Sequence, residues 1–165
     1  MTDFAPHIDL LTGAFKRAHF ERLLTQMVSH TRKGGGSMSL IYFDVDECQE
    51  LNDAHGTDRV DSALAWVASM ISQTLDGLGP IGRVGGDEFA VALKVPVEHA
   101  MRLAQRLRQA VSRELHSSAF GDFRLTVSAG VVALRPKELP GNLLDAGEEA
   151  CTRAKQQGRD AVAMR

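Results

Sequence analysis

The chain has 165 residues, 44% of them hydrophobic and 24% charged, with a formal net charge of −2; this is the composition of one ordinary folded domain, long enough to bury a core without disulfide or metal staples. The near-neutral balance excludes a basic surface built for a nucleic-acid duplex or an anionic membrane. Two distant cysteines, Cys48 and Cys151, and six histidines in no ligand-like spacing argue against a disulfide framework and a zinc site and for a reduced, cytoplasmic setting, and no stretch reads as a signal or a bilayer span.

Residues 9–36, DLLTGAFKRAHFERLLTQMVSHTRKGGG, read as a cap and a helix. Asp9 or Thr12 can accept from free amides at its start, and Ala18, Leu23, Leu24, Met27 and Val28 give it an apolar face. Gly34, Gly35 and Gly36 end it. In SMSLIYFDVD the continuous run Leu40 to Phe43 predicts a strand buried on both faces, closed by Asp44 and Asp46. ECQELNDAHG predicts a short helix. TDRVDSALAWVASMISQTLDG predicts a long one, with Val60, Leu64, Val67, Ala68, Ile71 and Leu75 on one face.

RVGGDEFAVAL, from Arg83 to Leu93, predicts a strand, a tight turn and a second strand. PVEHAMRLAQRLRQAVSRELHS carries Ala100, Leu103, Leu107 and Val111 at helical spacing. FRLTVSAGVVAL predicts a strand with a bulge at Gly130. A last helix over LPGNLLDAGEEACTRAKQQG and a closing strand in RDAVAM complete the chain. The order predicts an α+β fold. Its sheet should be central and mostly antiparallel, with a ferredoxin-like or polymerase-palm β-α-β-β-α-β core and helices packed around it.

Asp44 falls at the carboxyl end of a buried strand, where open sheets place ligands. Capping the next helix would explain one acid there, and Asp46 is the better cap, which leaves Asp44 without a structural role. Asp87 and Glu88 should face opposite sides of their strand. The hairpin should lie beside the first strand and bring one of them to Asp44. Converging carboxylates repel unless a cation sits among them, and hard oxygen donors suit magnesium with phosphates as further ligands. Gly85 and Gly86 would let backbone and phosphate approach closely.

Lys155 and Arg159 lie four residues apart, on one face of a helix, and could hold phosphates; taken alone, a solvated helix end explains them better. Asn52 could read a nucleobase edge, and Asp61 could accept from N1 and the exocyclic amine of guanine; capping is the alternative for both. No GxxxxGK[ST] or GxGxxG occurs, which excludes P-loop and Rossmann binding. A metal-bound purine nucleoside triphosphate is the ligand these groups suit together.

These segments resemble the GGDEF family of diguanylate cyclases over nearly the whole chain. DLLTGAFKR is similar to that family's D-x-L-T-G-L-x-N-R, and FDVDECQELNDAHGTDRVDSAL to its D-x-D-x-F-K-x-x-N-D-x-x-G-H-x-x-G-D-x-x-L. RVGGDEF carries the signature, and LTVSAGVV and AKQQGR match its S-x-G and A-K-x-x-G-R elements. The resemblance implies condensation of two GTP molecules to cyclic di-GMP with release of two pyrophosphates, by two domains that face each other. It implies Asp44, Asp87 and the Val45 carbonyl as ligands of magnesium or manganese, and Glu88 as ligand or base. It assigns Asn52 and Asp61 to guanine, and Lys155 and Arg159 to the terminal phosphates.

The chain departs from the pattern at Cys48-Gln49, where the family has Phe-Lys, and at Cys151-Thr152, where it has Leu-Tyr. Thr57 and Val60 replace a His and a Gly. The inhibitory R-x-x-D that many relatives carry is Asp76-Gly77-Leu78-Gly79 here, and no R-x-x-D occurs anywhere. Feedback through that site is not expected, and product binding should use the GTP half-site. The expectation is a single GGDEF domain, residues 1–165, of a longer signalling protein with a sensory or receiver domain upstream. It should pair only transiently with a second copy and be slow alone. The alternative is a weakly catalytic domain that binds GTP or cyclic di-GMP as a sensor or interaction module.

Overall fold

The computed structural model describes residues 5–118 and 121–165. A 3-10 turn (Ala5–His7) is followed by β1 (Phe15–Lys16), α1 (Arg17–Gly34), β2 (Ser39–Val45), α2 (Cys48–His55) and α3 (Thr57–Leu75). Then come β3 (Ile81–Arg83), β4 (Glu88–Leu93), α4 (Val97–Arg113), β5 (His116–Ser118), β6 (Gly121–Phe123), β7 (Val127–Ala133), α5 (Pro140–Gln156) and β8 (Val162–Met164). The main sheet has six strands in the order β1-β3-β4-β2-β7-β8. The three inner pairings are antiparallel, and the outer strands β1 and β8 pair in parallel. The expected α+β class and palm-like core are both present.

β2 is central and buried at every residue. Its alternation divides the core in two. Ile41, Phe43 and Val45 pack with Leu64, Val67 and Ile71 of α3 and Leu103 and Leu107 of α4. Leu40 and Tyr42 pack on the other side with Phe20, Leu24 and Val28 of α1 and Leu143 and Ala150 of α5. Two helical layers thus clamp the sheet, and polar groups at the ends of β2 and β4 are held in fixed register: Asp44 lies opposite Glu88.

Four expectations are corrected. The first helix begins only at Arg17; Asp9 instead caps a turn, accepting from the Thr12 amide at 3.1 Å and the Thr12 hydroxyl at 2.6 Å. Ala18 is exposed, and Phe20 takes the inward place. Gly130 is no bulge, because its neighbours keep an unbroken register with β2. A β-carbon there would strike the Gly147 carbonyl and the Cys151 amide, so Gly130 is where α5 packs directly onto β7.

The fourth correction concerns strands the sequence reading lacked. β1 is two residues long, too short for an alternation signal. The β5–β6 hairpin is mostly polar and is anchored through rings. His116 stacks on Trp66 at 5.0 Å, meets Phe123 edge-on at 4.8 Å, and shares a 3.0 Å hydrogen bond with the Ser62 hydroxyl. No described helix is long and apolar enough to cross a membrane.

Candidate active site

Asp44 lies near the carboxyl end of β2, between Glu88 of β4 and Ser128 of β7. Its side chain is 10% exposed, and its Oδ1 is buried with no hydrogen-bond partner. Oδ2 lies 2.5 Å from the Lys155 ammonium. Burial pushes the Asp44 carboxyl up to about 6; Lys155 pulls it down, and the neighbouring Asp87 and Glu88 push it up further. The same contact holds the Lys155 ammonium above its ordinary value, against burial. Like charges opposed across a ladder destabilise a sheet, so the Asp44–Glu88 pair has no structural rationale.

Asp87 and Glu88 close the β3–β4 turn, as expected for the glycine-acid stretch. The Val45 amide donates to the Asp87 carbonyl at 3.0 Å, which fixes the turn against the end of β2. Val84 and Gly85 amides both donate to the Glu88 carbonyl, at 2.9 and 3.3 Å. The Glu88 carboxylate curls back over Gly85, where any β-carbon would collide with it. Burial and then Glu88 raise the Tyr42 hydroxyl above its usual range. Gly85 therefore makes room first for Glu88 itself, whereas a β-carbon at Gly86 would meet open space. Among the described residues no three Asp, Glu, His or Cys side chains gather closely enough to hold an ion in this arrangement.

Lys155 and Arg159 do not share a helix face. α5 ends at Gln156, and Arg159 lies beyond it in a left-handed conformation, φ 63°. Its amide still donates to the Lys155 carbonyl at 3.2 Å, which keeps the two residues adjacent. Asn52 is exposed on α2, and its Oδ1 accepts from the Thr57 hydroxyl at 3.3 Å. Asp61 is half-buried on α3, one turn beyond Thr57. Both thus flank the α2–α3 corner at Gly56.

Asp46 is not a cap. Glu47 holds that place, in a left-handed conformation with no side-chain bond. Asp46 is buried and accepts from the Thr126 hydroxyl (2.7 Å), the Ser128 hydroxyl (2.8 Å) and the Asp160 amide (3.1 Å). It ties the start of β7 and the loop carrying Arg159 to the end of β2. Sequence reasoning also missed Arg83, which grips the Gly86 carbonyl through Nε at 3.1 Å and Nη2 at 2.6 Å. Cys48 and Cys151 are buried beneath the site, and burial, then nearby carboxylates, push both thiols up to about 12, so neither is a nucleophile.

Comparison with known proteins bears on the family and the fold. The family model "Diguanylate cyclase, GGDEF domain" matches residues 6–161. The protein YhcK of Bacillus subtilis (strain 168) is 33% identical over 165 residues, covering 96% of this chain and 45% of that protein. The probable diguanylate cyclase DgcC of Escherichia coli (strain K12) is 30% identical over 154 residues, 92% of this chain and 41% of that one. The chain thus spans less than half the length of these relatives. The crystal structure of the GGDEF domain of DgcB from Caulobacter crescentus in complex with c-di-GMP superposes with a TM-score of 0.92 at 25% identity, covering 99% of this chain and 96% of that one.

Proposed function

The chain belongs to the GGDEF-domain diguanylate cyclase family, and from that premise we propose that it condenses two GTP molecules into cyclic di-GMP and two pyrophosphates in the cytoplasm, one nucleotide on each of two facing domains. The observation that carries this reading is the register of Asp44 opposite Glu88, with Asp87 fastened to Val45 beside them. Two acids opposed in register, one of them with an unpartnered buried oxygen, and a third in the adjoining turn would suit a hard divalent cation once their side chains turn toward it. Asp44, Asp87, Glu88 and the Val45 carbonyl would hold magnesium, which when bound would neutralise charge on the attacking and leaving oxygens.

The protein groups divide the remaining work. Asn52 and Asp61 orient guanine; an aspartate at that place selects against adenine, which lacks the N1 donor. Lys155 and Arg159 hold the terminal phosphates; Gly86 leaves the turn open to them, and Gly85 does so once the Glu88 carboxylate swings off it. The 3′-hydroxyl of one nucleotide attacks the α-phosphorus of the other, a P–O bond to pyrophosphate breaks, and Glu88 assists as ligand or takes the hydroxyl proton. Two such transfers close the ring. Two facing domains supply the proximity, so rate should depend on their encounter.

The test is incubation with GTP and magnesium, followed by chromatography for cyclic di-GMP, on the free domain and on a forced dimer. Cyclic di-GMP should form, faster per domain in the dimer and as protein concentration rises. Asp87→Ala and Glu88→Ala should abolish pyrophosphate release with circular dichroism unchanged; release that persists would overturn the assignment. One observation favours a second reading, a weak nucleotide-binding module. Gln49 stands where the family's lysine would add a positive charge beside the phosphates. That reading predicts binding of GTP or cyclic di-GMP, weakened by Asp61→Ala, with no product even in the forced dimer.

A further inference from the structure

Lys155 occupies the carboxylate on which the rest of the site converges. Its ammonium lies 2.5 Å from Asp44 Oδ2, and the two side chains are 34% and 10% exposed. Asp44 lies in register with Glu88 and beside the turn that carries Asp87, and a cation in contact offsets the repulsion among acids so placed. The chain supplies that cation itself, from the last turn of α5. The Glu88 carboxylate is turned away, folded over Gly85. An ammonium and a divalent cation compete for the same carboxylate and repel each other at that distance. Lysine is suited to leave, since it is a point charge on a flexible four-carbon stem.

We propose that Lys155 is an internal counter-ion that holds Asp44 until a triphosphate draws it off, so that the divalent cation enters together with the nucleotide and not ahead of it. The proposal rests on the GTP reading above only for the identity of the triphosphate. A nucleotide offers Lys155 a partner of higher charge than one carboxylate, and its departure frees Asp44 Oδ2 beside the unpartnered Oδ1. The order protects the site from free cations and couples metal affinity to substrate.

The test is titration of Mn2+ into the nucleotide-free domain, read by electron paramagnetic resonance. Lys155→Met should bind Mn2+ more tightly than the unaltered domain, on the order of three- to tenfold. Lys155→Arg, which keeps a cation on Asp44, and Arg159→Met, which removes an exposed charge off the helix, should stay near the unaltered value. The gain should survive about 0.3 M KCl, which screens through-space effects but not occupation of the carboxylate. No gain in Lys155→Met, or an equal gain in Arg159→Met that vanishes in salt, would overturn the proposal. Lys155→Gln serves the same purpose if the methionine variant loses its circular-dichroism spectrum. In a last arm, a non-hydrolysable GTP analogue should tighten Mn2+ binding more in the unaltered domain than in Lys155→Met. If the analogue does not bind, the GTP reading falls, and the nucleotide-free arms still decide the role of Lys155.

Discussion

Arg83 joins two segments 74 residues apart: its Nη1 lies 3.1 Å from Asp9 Oδ2 while Nε and Nη2 hold the Gly86 carbonyl. Asp9 is itself fixed by Thr12, so the turn before β1 and the turn before β4 form one braced unit. Arg17 adds a bond from the start of α1 to the Val84 carbonyl at 3.1 Å. The acids of the β3–β4 turn thus take their position partly from the N-terminal segment.

That brace predicts a positional effect of Asp9→Asn. Burial pushes the Asp9 carboxyl up, but the Thr12 and Arg83 bonds outweigh it, and its folded value lies below 3.8. Its stabilising contribution is therefore present above about pH 4 and is lost as pH falls through the folded value. The pair is only partly buried, so we expect a loss of about 1 kcal/mol at pH 7, read by urea unfolding, that shrinks as pH falls through the folded value of Asp9. Turnover should fall more than stability, because the Gly86 carbonyl loses its fixed donor. Unchanged turnover in Asp9→Asn would show that the brace does not position the turn.

Gly130 predicts a steric effect with an internal control. A β-carbon at Gly130 would strike backbone of α5, which cannot yield without moving the helix. A β-carbon at Gly147 would meet the end of the Leu40 side chain at 2.6 Å, which can shift rotamer. Gly130→Ala should cost about 3 kcal/mol or more, and Gly147→Ala about 1 kcal/mol, by thermal or urea unfolding. Equal losses would mean that α5 does not rest on β7 through that glycine.

The layered fold was legible because its signals are periodic. Leu40 to Phe43 could only be a strand buried on both faces, and the stripes of α3 and α4 fell where the sequence put them. The convergence of Asp44 with the glycine-acid turn followed from topology alone. What was not legible depends on long-range bonds. Asp46 looked like a cap because caps are local, and its partners lie 80 to 114 residues away. Arg159 looked helical because spacing alone does not show that α5 stops at Gln156. β1 exists only because β3 offers it an edge, so nothing in Phe15 and Lys16 themselves announces a strand.

Asp44 predicts a conflict between stability and activity. Its folded value, about 6, lies above the ordinary 3.8, so the ionised form is less favourable in the folded chain than in the unfolded one. Stability from its neutral form is fully present below about pH 4 and is lost as pH rises through about 6. Asp44→Asn keeps the shape and removes the charge. At pH 8 it should therefore stabilise the fold, by about 1 to 2 kcal/mol once the cost of leaving Lys155 unpaired is set against the gain. At pH 4 the two proteins should unfold at the same temperature. Lys155 is one-third exposed and can be solvated, so the variant should fold normally. It should make no cyclic di-GMP at any pH. A melting temperature at pH 8 below that of the unaltered chain would mean that Lys155 fully compensates the buried charge, and that Asp44 is held for structure as well as for chemistry.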